Sequence, residues 1–202
     1  MTTTHMRRIG TSKVTILIAV LVVTLVAVII VSALQEVRQT TPDPTLTGPS
    51  TLSTGYVLRP FSANDLDGHI IDNSFFKKQR LTMVNVWGTF CGPCIREMPD
   101  LAQLPAEFRA SEFAILGVVA DTPDASNEDT ARQLTGTTGV TYTNVIPDLS
   151  IETELLADVS VVPTTFFVDR TGKVVGDVLT GSHTKAEWMT IIQEVLANLS
   201  TP

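Results

Sequence analysis

The chain has 202 residues, 44% of them hydrophobic, with 14 Lys and Arg against 21 Asp and Glu and only two cysteines. That length holds one ordinary domain with extensions, not two full domains. Beyond position 34 there are 11 basic against 21 acidic residues, a balance that argues against nucleic acid or anionic lipid as the partner of that part.

Residues 14–34 carry no charge, and only Thr15, Thr24 and Ser32 among them are polar. As a helix the segment would rise roughly 31 Å, the thickness of a bilayer's hydrocarbon core. Arg7, Arg8 and Lys13 precede it and no acid occurs before Glu36. The expected topology is therefore residues 1–13 in the cytoplasm, 14–34 as a single transmembrane anchor, and the rest outside. A cleaved signal peptide is the alternative, with Val31-Ser32-Ala33 as its small-residue site, although the apolar run is long for one. Either reading exports the remainder of the chain.

Residues 35–55, rich in Thr, Ser, Pro and Gly, read as a flexible tether of roughly 25 Å root-mean-square span. A folded domain is expected over residues 56–202. Asn64-Asp65-Leu66-Asp67-Gly68 marks a turn between two short extended pieces. Leu81–Trp87 (LTMVNVW) is apolar without alternation, as in a strand buried on both faces. A helix carrying Met98, Leu101, Leu104 and Phe108 comes next, then a second buried strand over residues 113–120 (FAILGVVA). Further expected elements are a polar helix around 128–134, a strand near 140–145 and a helix near 151–158. Two strands, 164–169 and 173–179, meet at Asp169-Arg170-Thr171-Gly172, and a closing helix buries Trp188, Ile191, Ile192, Val195 and Leu196. This order gives an α/β domain with a mixed sheet.

Cys91 and Cys94 are poorly spaced to staple a fold, because bridging neighbours three apart constrains little of the unfolded chain. They are well spaced to react. In Trp87-Gly88-Thr89-Phe90-Cys91-Gly92-Pro93-Cys94, Cys91 falls at the start of a helix, where unpaired N–H groups and the positive dipole end favour thiolate. Cys94, a turn further in, can resolve a mixed disulfide. Pro93 suits the first helical turn, and Gly92 leaves little bulk in a substrate's way. Zinc would need four ligands, and His5, His69 and His183 are isolated surface candidates, so neither metal nor cofactor is expected. Val162-Pro163 heads the apolar strand VVPTTFFVD, where a cis peptide would turn the backbone toward the cysteines.

The runs VNVWGTFCGPCIREMP and VVPTTFFVDRTGKVV, with the apolar N-terminal segment, resemble the TlpA/ResA/DsbE group of thioredoxin-like thiol-disulfide oxidoreductases over residues 56–199. The resemblance implies a thioredoxin fold with a strand-helix insertion near 122–145. It implies Cys91 as the attacking and Cys94 as the resolving thiol, Pro163 as a cis-proline, and Pro99 as a helix-kinking proline. It places Asn85 where thioredoxin has a buried aspartate, and it makes Glu97 a proton carrier for the thiols. Trp87, Gly92, Pro93, Val162 and Pro163 are the substrate-binding positions it suggests. Gly88 and Phe90 depart from the commoner Ala and Trp or Tyr.

The expected activity is reduction of disulfides in exported clients, such as apocytochrome c or an exported reductase, with electrons from a thiol-carrying membrane protein. A disulfide-forming oxidant is the alternative within the class. A copper-binding or copper-delivery module on the same fold is the alternative outside it, although that would favour Cys-x-x-x-Cys with a nearby His. A peroxiredoxin-like peroxidase would lack the Trp-x-x-x-Cys-Gly-Pro-Cys arrangement.

Overall fold

The computed structural model describes residues 21–26, 52–122 and 127–199. The chain divides into two units, Met1–Gly48 and Pro49–Pro202. In the first, residues 21–26 are helical and exposed. Most of the expected membrane anchor (14–34) and of the tether (35–55) lies outside the described residues, among which no helix is long and apolar enough to cross a membrane.

The second unit opens with a short antiparallel hairpin, β1 (Ser62–Asn64) and β2 (Ile70–Asp72). Its turn is closed by the Asp65 carboxylate, which accepts from the amides of Asp67 (2.9 Å) and His69 (2.8 Å). Five further strands form one sheet: β3 (Leu81–Trp87), β4 (Phe113–Val119), β5 (Thr143–Val145), β6 (Thr164–Asp169) and β7 (Val174–Thr180), in the order β5-β4-β3-β6-β7. β3, β4 and β5 run parallel, while β6 and β7 run antiparallel to their neighbours. All seven residues of β3 are buried, as its unbroken apolar run requires of a central strand. The helices are α1 (Gly92–Gln103), α2 (Glu128–Thr138), α3 (Leu149–Glu154) and α4 (Lys185–Asn198).

Successive β3 residues point to opposite faces, and two cores result. Leu81 and Met83 pack with Phe113, Ile115 and Phe167 against Leu101, Trp188 and Ile192 of α1 and α4. Val84 and Val86 pack with Leu116, Phe166 and Val168 against Phe76, Ile151 and Leu155. Each such large side chain contributes about 1.5–3 kcal/mol on burial. A third cluster gathers Trp87, Cys91, Cys94, Met98, Val119 and Ala131 at the sheet's C-terminal end.

This is the thioredoxin fold that the resemblance implies, and the insertion expected as strand-helix runs instead as helix α2 followed by strand β5. The expected helix near 151–158 is divided: α3 ends at Glu154 and a separate 3-10 turn covers Leu156–Asp158. α2 reaches Thr138, four residues past its expected end, and stops where Gly139 takes φ 74°.

Candidate active site

β3 delivers Trp87 to the sheet's end, and the chain then turns through Gly88-Thr89-Phe90 into α1. The Cys91 amide donates to the Gly88 carbonyl (3.0 Å), closing that turn. Cys91 is the N-cap of α1, and its Sγ accepts from the Cys94 amide at 3.2 Å. The two cysteines are joined by a disulfide, with their Cα atoms 5.3 Å apart. Cys91 is 5% exposed and Cys94 1%, so Cys91 is the sulfur an incoming group meets first. Gly92 is half-buried and Pro93 exposed beside it.

Opposite the pair, the Val162–Pro163 peptide is cis. The Val162 carbonyl oxygen lies 3.5 Å from Cys91 Sγ. Phe90 (74% exposed) and Val161 (52%) rim a shallow groove of about 410 Å³ that Leu156, Val159 and Val162 also line. Gly88 leaves room for the Phe90 ring, since a Cβ there would meet Phe90 Cε1 at 2.8 Å. The two departures from the commoner motif are therefore spatially matched.

Glu97 lies one helical turn beyond Cys94 and is buried, at 4% exposure. Its Oε1 accepts from Asn85 Nδ2 (3.4 Å) and its Oε2 from the His183 amide (3.1 Å). Asn85 Nδ2 also donates to Thr165 Oγ1 at 3.0 Å. Burial raises the Glu97 carboxyl to about 7, against the pull of these two donors toward the ionised form. The Trp188 indole N–H pulls weakly in the same direction without reaching a hydrogen-bonded geometry, and Asp100 pushes the other way. A carboxyl poised near neutrality can both hold and release a proton at working pH. The nearby Tyr142 hydroxyl is buried without a partner; burial, then Glu97, pushes its ionisation upward.

Three sequence expectations change in the folded chain. Trp87, expected among the substrate-binding positions, is 0% exposed and has no surface to offer a client. Its indole instead donates to Asn144 Oδ1 at 2.9 Å, while Asn144 Nδ2 donates to the Tyr142 carbonyl. His183, expected as an isolated surface residue, is half-buried with its ring edge-on to Trp188 at 4.6 Å, and its amide holds Glu97. His69 belongs, with Asp65 and Asp67, to a group whose ligand-type atoms lie within 4.8 Å of one another. Asp65 already uses its oxygens on the hairpin turn and on the His69 ring.

Sequence reasoning missed Asp121, just past β4. Its Oδ1 accepts from the Thr89 amide (3.0 Å) and its Oδ2 from the Thr89 hydroxyl (2.5 Å). Asn127 Nδ2 donates both to the Asp121 carbonyl (2.7 Å) and to Oδ2 (3.3 Å), tying the start of α2 to the turn before Cys91. Also missed was Gly117, where a Cβ would lie 1.9 Å from Asn144 Oδ1 and abolish the Trp87 hydrogen bond.

Residues 54–176 match the AhpC/TSA family. The chain is 31% identical over 141 residues to the thiol-disulfide oxidoreductase ResA of Geobacillus kaustophilus, covering 70% of this chain and 77% of that protein. It is 30% identical over 148 residues to ResA of Geobacillus thermodenitrificans, with the same coverage. Among solved structures, the thioredoxin domain of a thiol-disulfide oxidoreductase from Bacteroides vulgatus superposes with a TM-score of 0.58 at 22% identity, over 72% of this chain and 99% of that one. StoA from Bacillus subtilis does so with a TM-score of 0.54 at 18% identity, over 68% and 98%. These two likenesses concern the fold.

Proposed function

The chain belongs to the AhpC/TSA family and is a thioredoxin-like thiol-disulfide oxidoreductase, and from that premise we propose that it reduces disulfides of exported client proteins through Cys91 and Cys94. Cys91 thiolate attacks one sulfur of a client disulfide, forming a mixed disulfide and releasing the other client sulfur as thiol. Cys94 loses its proton to Glu97 and attacks Cys91 Sγ. The client leaves fully reduced, and the Cys91–Cys94 bond holds the two electrons' deficit until a thiol donor restores the pair.

The observation that carries this reading is the pairing of an N-cap sulfur with a more deeply buried partner one turn along α1, and a buried carboxyl near neutrality a turn beyond that. Pro93, Gly92 and Val162 form the surface around Cys91 on which a client segment would lie, while Pro163, expected beside them, is buried. We place residues 14–34 in the membrane as an anchor, 35–55 as a tether and the catalytic domain outside the cell membrane, supported by the uncharged run and the basic residues before it. A membrane protein carrying thiols is then the natural electron source. Clients such as apocytochrome c fit the same chemistry.

Direction is decided by the reduction potential of the couple in defined thiol buffers. A value near or below about −270 mV fits a reductase, and one near about −120 mV overturns that reading in favour of a disulfide-forming oxidant.

A further inference from the structure

We propose that Asp121 is a positioning residue of the redox site, one that holds Cys91 in place through Thr89 and biases the couple toward the disulfide. The proposal deepens the redox reading of the Cys91–Cys94 pair and rests on it.

Thr89 stands two residues before Cys91, in a turn whose backbone closure is the single bond from the Cys91 amide to the Gly88 carbonyl. Asp121 adds the turn's other restraint. Both carboxylate oxygens lie within reach of the Thr89 amide, at 3.0 and 3.1 Å, and Oδ2 also takes the Thr89 hydroxyl. Asp121 is itself fixed, through its carbonyl and its Oδ2, by Asn127. Its carboxylate is thus held by neutral donors, the amide and hydroxyl of Thr89 and the side-chain amide of Asn127. Such donors temper a negative charge without cancelling it, and this one is hydrogen-bonded to the residue two positions before the sulfur that must ionise.

The sign of the effect depends on which redox state bears charge. The disulfide is neutral and the reduced pair carries a thiolate on Cys91. A nearby carboxylate disfavours the thiolate and so disfavours the reduced state. The N-terminus of α1 acts oppositely, and Asp121 offsets part of that pull. A couple biased toward the disulfide is a better reductant, in keeping with the proposed direction.

The test uses the full chain and three variants, Asp121→Asn, Asp121→Ala and Thr89→Val, equilibrated with reduced and oxidised glutathione at pH 9, where the thiolate is populated. In each equilibrium two glutathione thiols lose two protons and two electrons to become the disulfide as the Cys91–Cys94 bond is reduced. Asp121→Asn and Asp121→Ala are expected to shift the constant roughly three- to tenfold toward the dithiol, and to lower the pH at which Cys91 becomes reactive to iodoacetamide. Thr89→Val keeps the carboxylate but removes the hydroxyl that tempers it, so its constant is expected to stay or to move the opposite way. A merely structural aspartate would make all three variants less stable and leave the constant alone. An unshifted constant in Asp121→Asn, or a shift of the same sign in Thr89→Val, overturns the proposal. Absence of any reversible couple in the parent chain would instead overturn the redox reading on which it stands.

Discussion

The Asn85 amide donates to the Glu97 carboxyl across 3.4 Å, joining the central strand to the helix that begins at Cys91. Both side chains are buried, at 1% and 4% exposure. A neutral donor in this place lets Glu97 exchange a proton without a second ionisable group competing for it. Glu97 stands at about 7, well above the ordinary value of 4.5.

That elevation makes stability fall as pH rises. A carboxyl raised on folding binds more protons in the native than in the unfolded state between about 4.5 and 7. Its stabilising contribution is complete below that window and is lost as pH climbs through it, by on the order of 3 kcal/mol. Glu97→Gln, which cannot titrate, should flatten this part of the profile. Urea unfolding of the oxidised chain at pH 4.5, 6 and 8 reads it: the gap between parent and variant should change with pH, and a constant gap contradicts the assignment. The same variant should lose the neutral-pH inflection in the rate at which Cys94 resolves a mixed disulfide.

Asn85→Asp restores thioredoxin's aspartate but sets it 3.4 Å from a second carboxyl. Two such groups cannot both ionise cheaply, so the pair should titrate with one apparent value pushed further up. The expected loss of stability is small at pH 5 and about 2–4 kcal/mol at pH 8. Carboxyl carbon-13 titration together with denaturation at the two pH values checks this; equal losses at both would contradict it.

Gly117→Ala should be among the most damaging small substitutions. The new methyl would lie 1.9 Å from Asn144 Oδ1 and 2.7 Å from Asn144 Cγ. Asn144 is short and held between the Trp87 indole and the Tyr142 carbonyl, so it has little freedom to withdraw. A loss of about 2–3 kcal/mol is expected, with a changed Trp87 emission spectrum as the buried indole loses its acceptor.

Gly88→Ala gives the contrasting outcome. Its methyl would first meet the Phe90 ring, which is 74% exposed and can swing outward. Stability should change by no more than about 0.5 kcal/mol. A melting curve that falls as far as that of Gly117→Ala would mean the Phe90 ring is fixed in place.

Much of the fold was legible because its central elements carry unmixed signals. Leu81–Trp87 and Thr164–Asp169 are buried on both faces, so their apolar runs coincide with the strands. The burial of Glu97 was legible in principle, since it falls within the stripe Cys94, Met98 and Leu101 on the buried face of α1. Its partners were not: Asn85 could be placed only by resemblance, and the His183 amide lies 86 residues away in sequence. Asp121 carried no local signal either, because its meaning comes from Thr89, 32 residues earlier on a neighbouring strand's end. The resemblance set Trp87 among the substrate-binding positions, whereas the folded chain buries it. The side-chain alternation of β3 turns it inward, toward Asn144.

The most direct test of the central claim is to trap the mixed disulfide. Full-length Cys94→Ser and Cys91→Ser chains are each mixed with a disulfide-bearing client protein and resolved on non-reducing gels. Cys94→Ser should accumulate a covalent complex through Cys91 that excess thiol releases, while Cys91→Ser should accumulate none. A complex formed by Cys91→Ser alone, or by neither variant, would contradict Cys91 as the attacking sulfur.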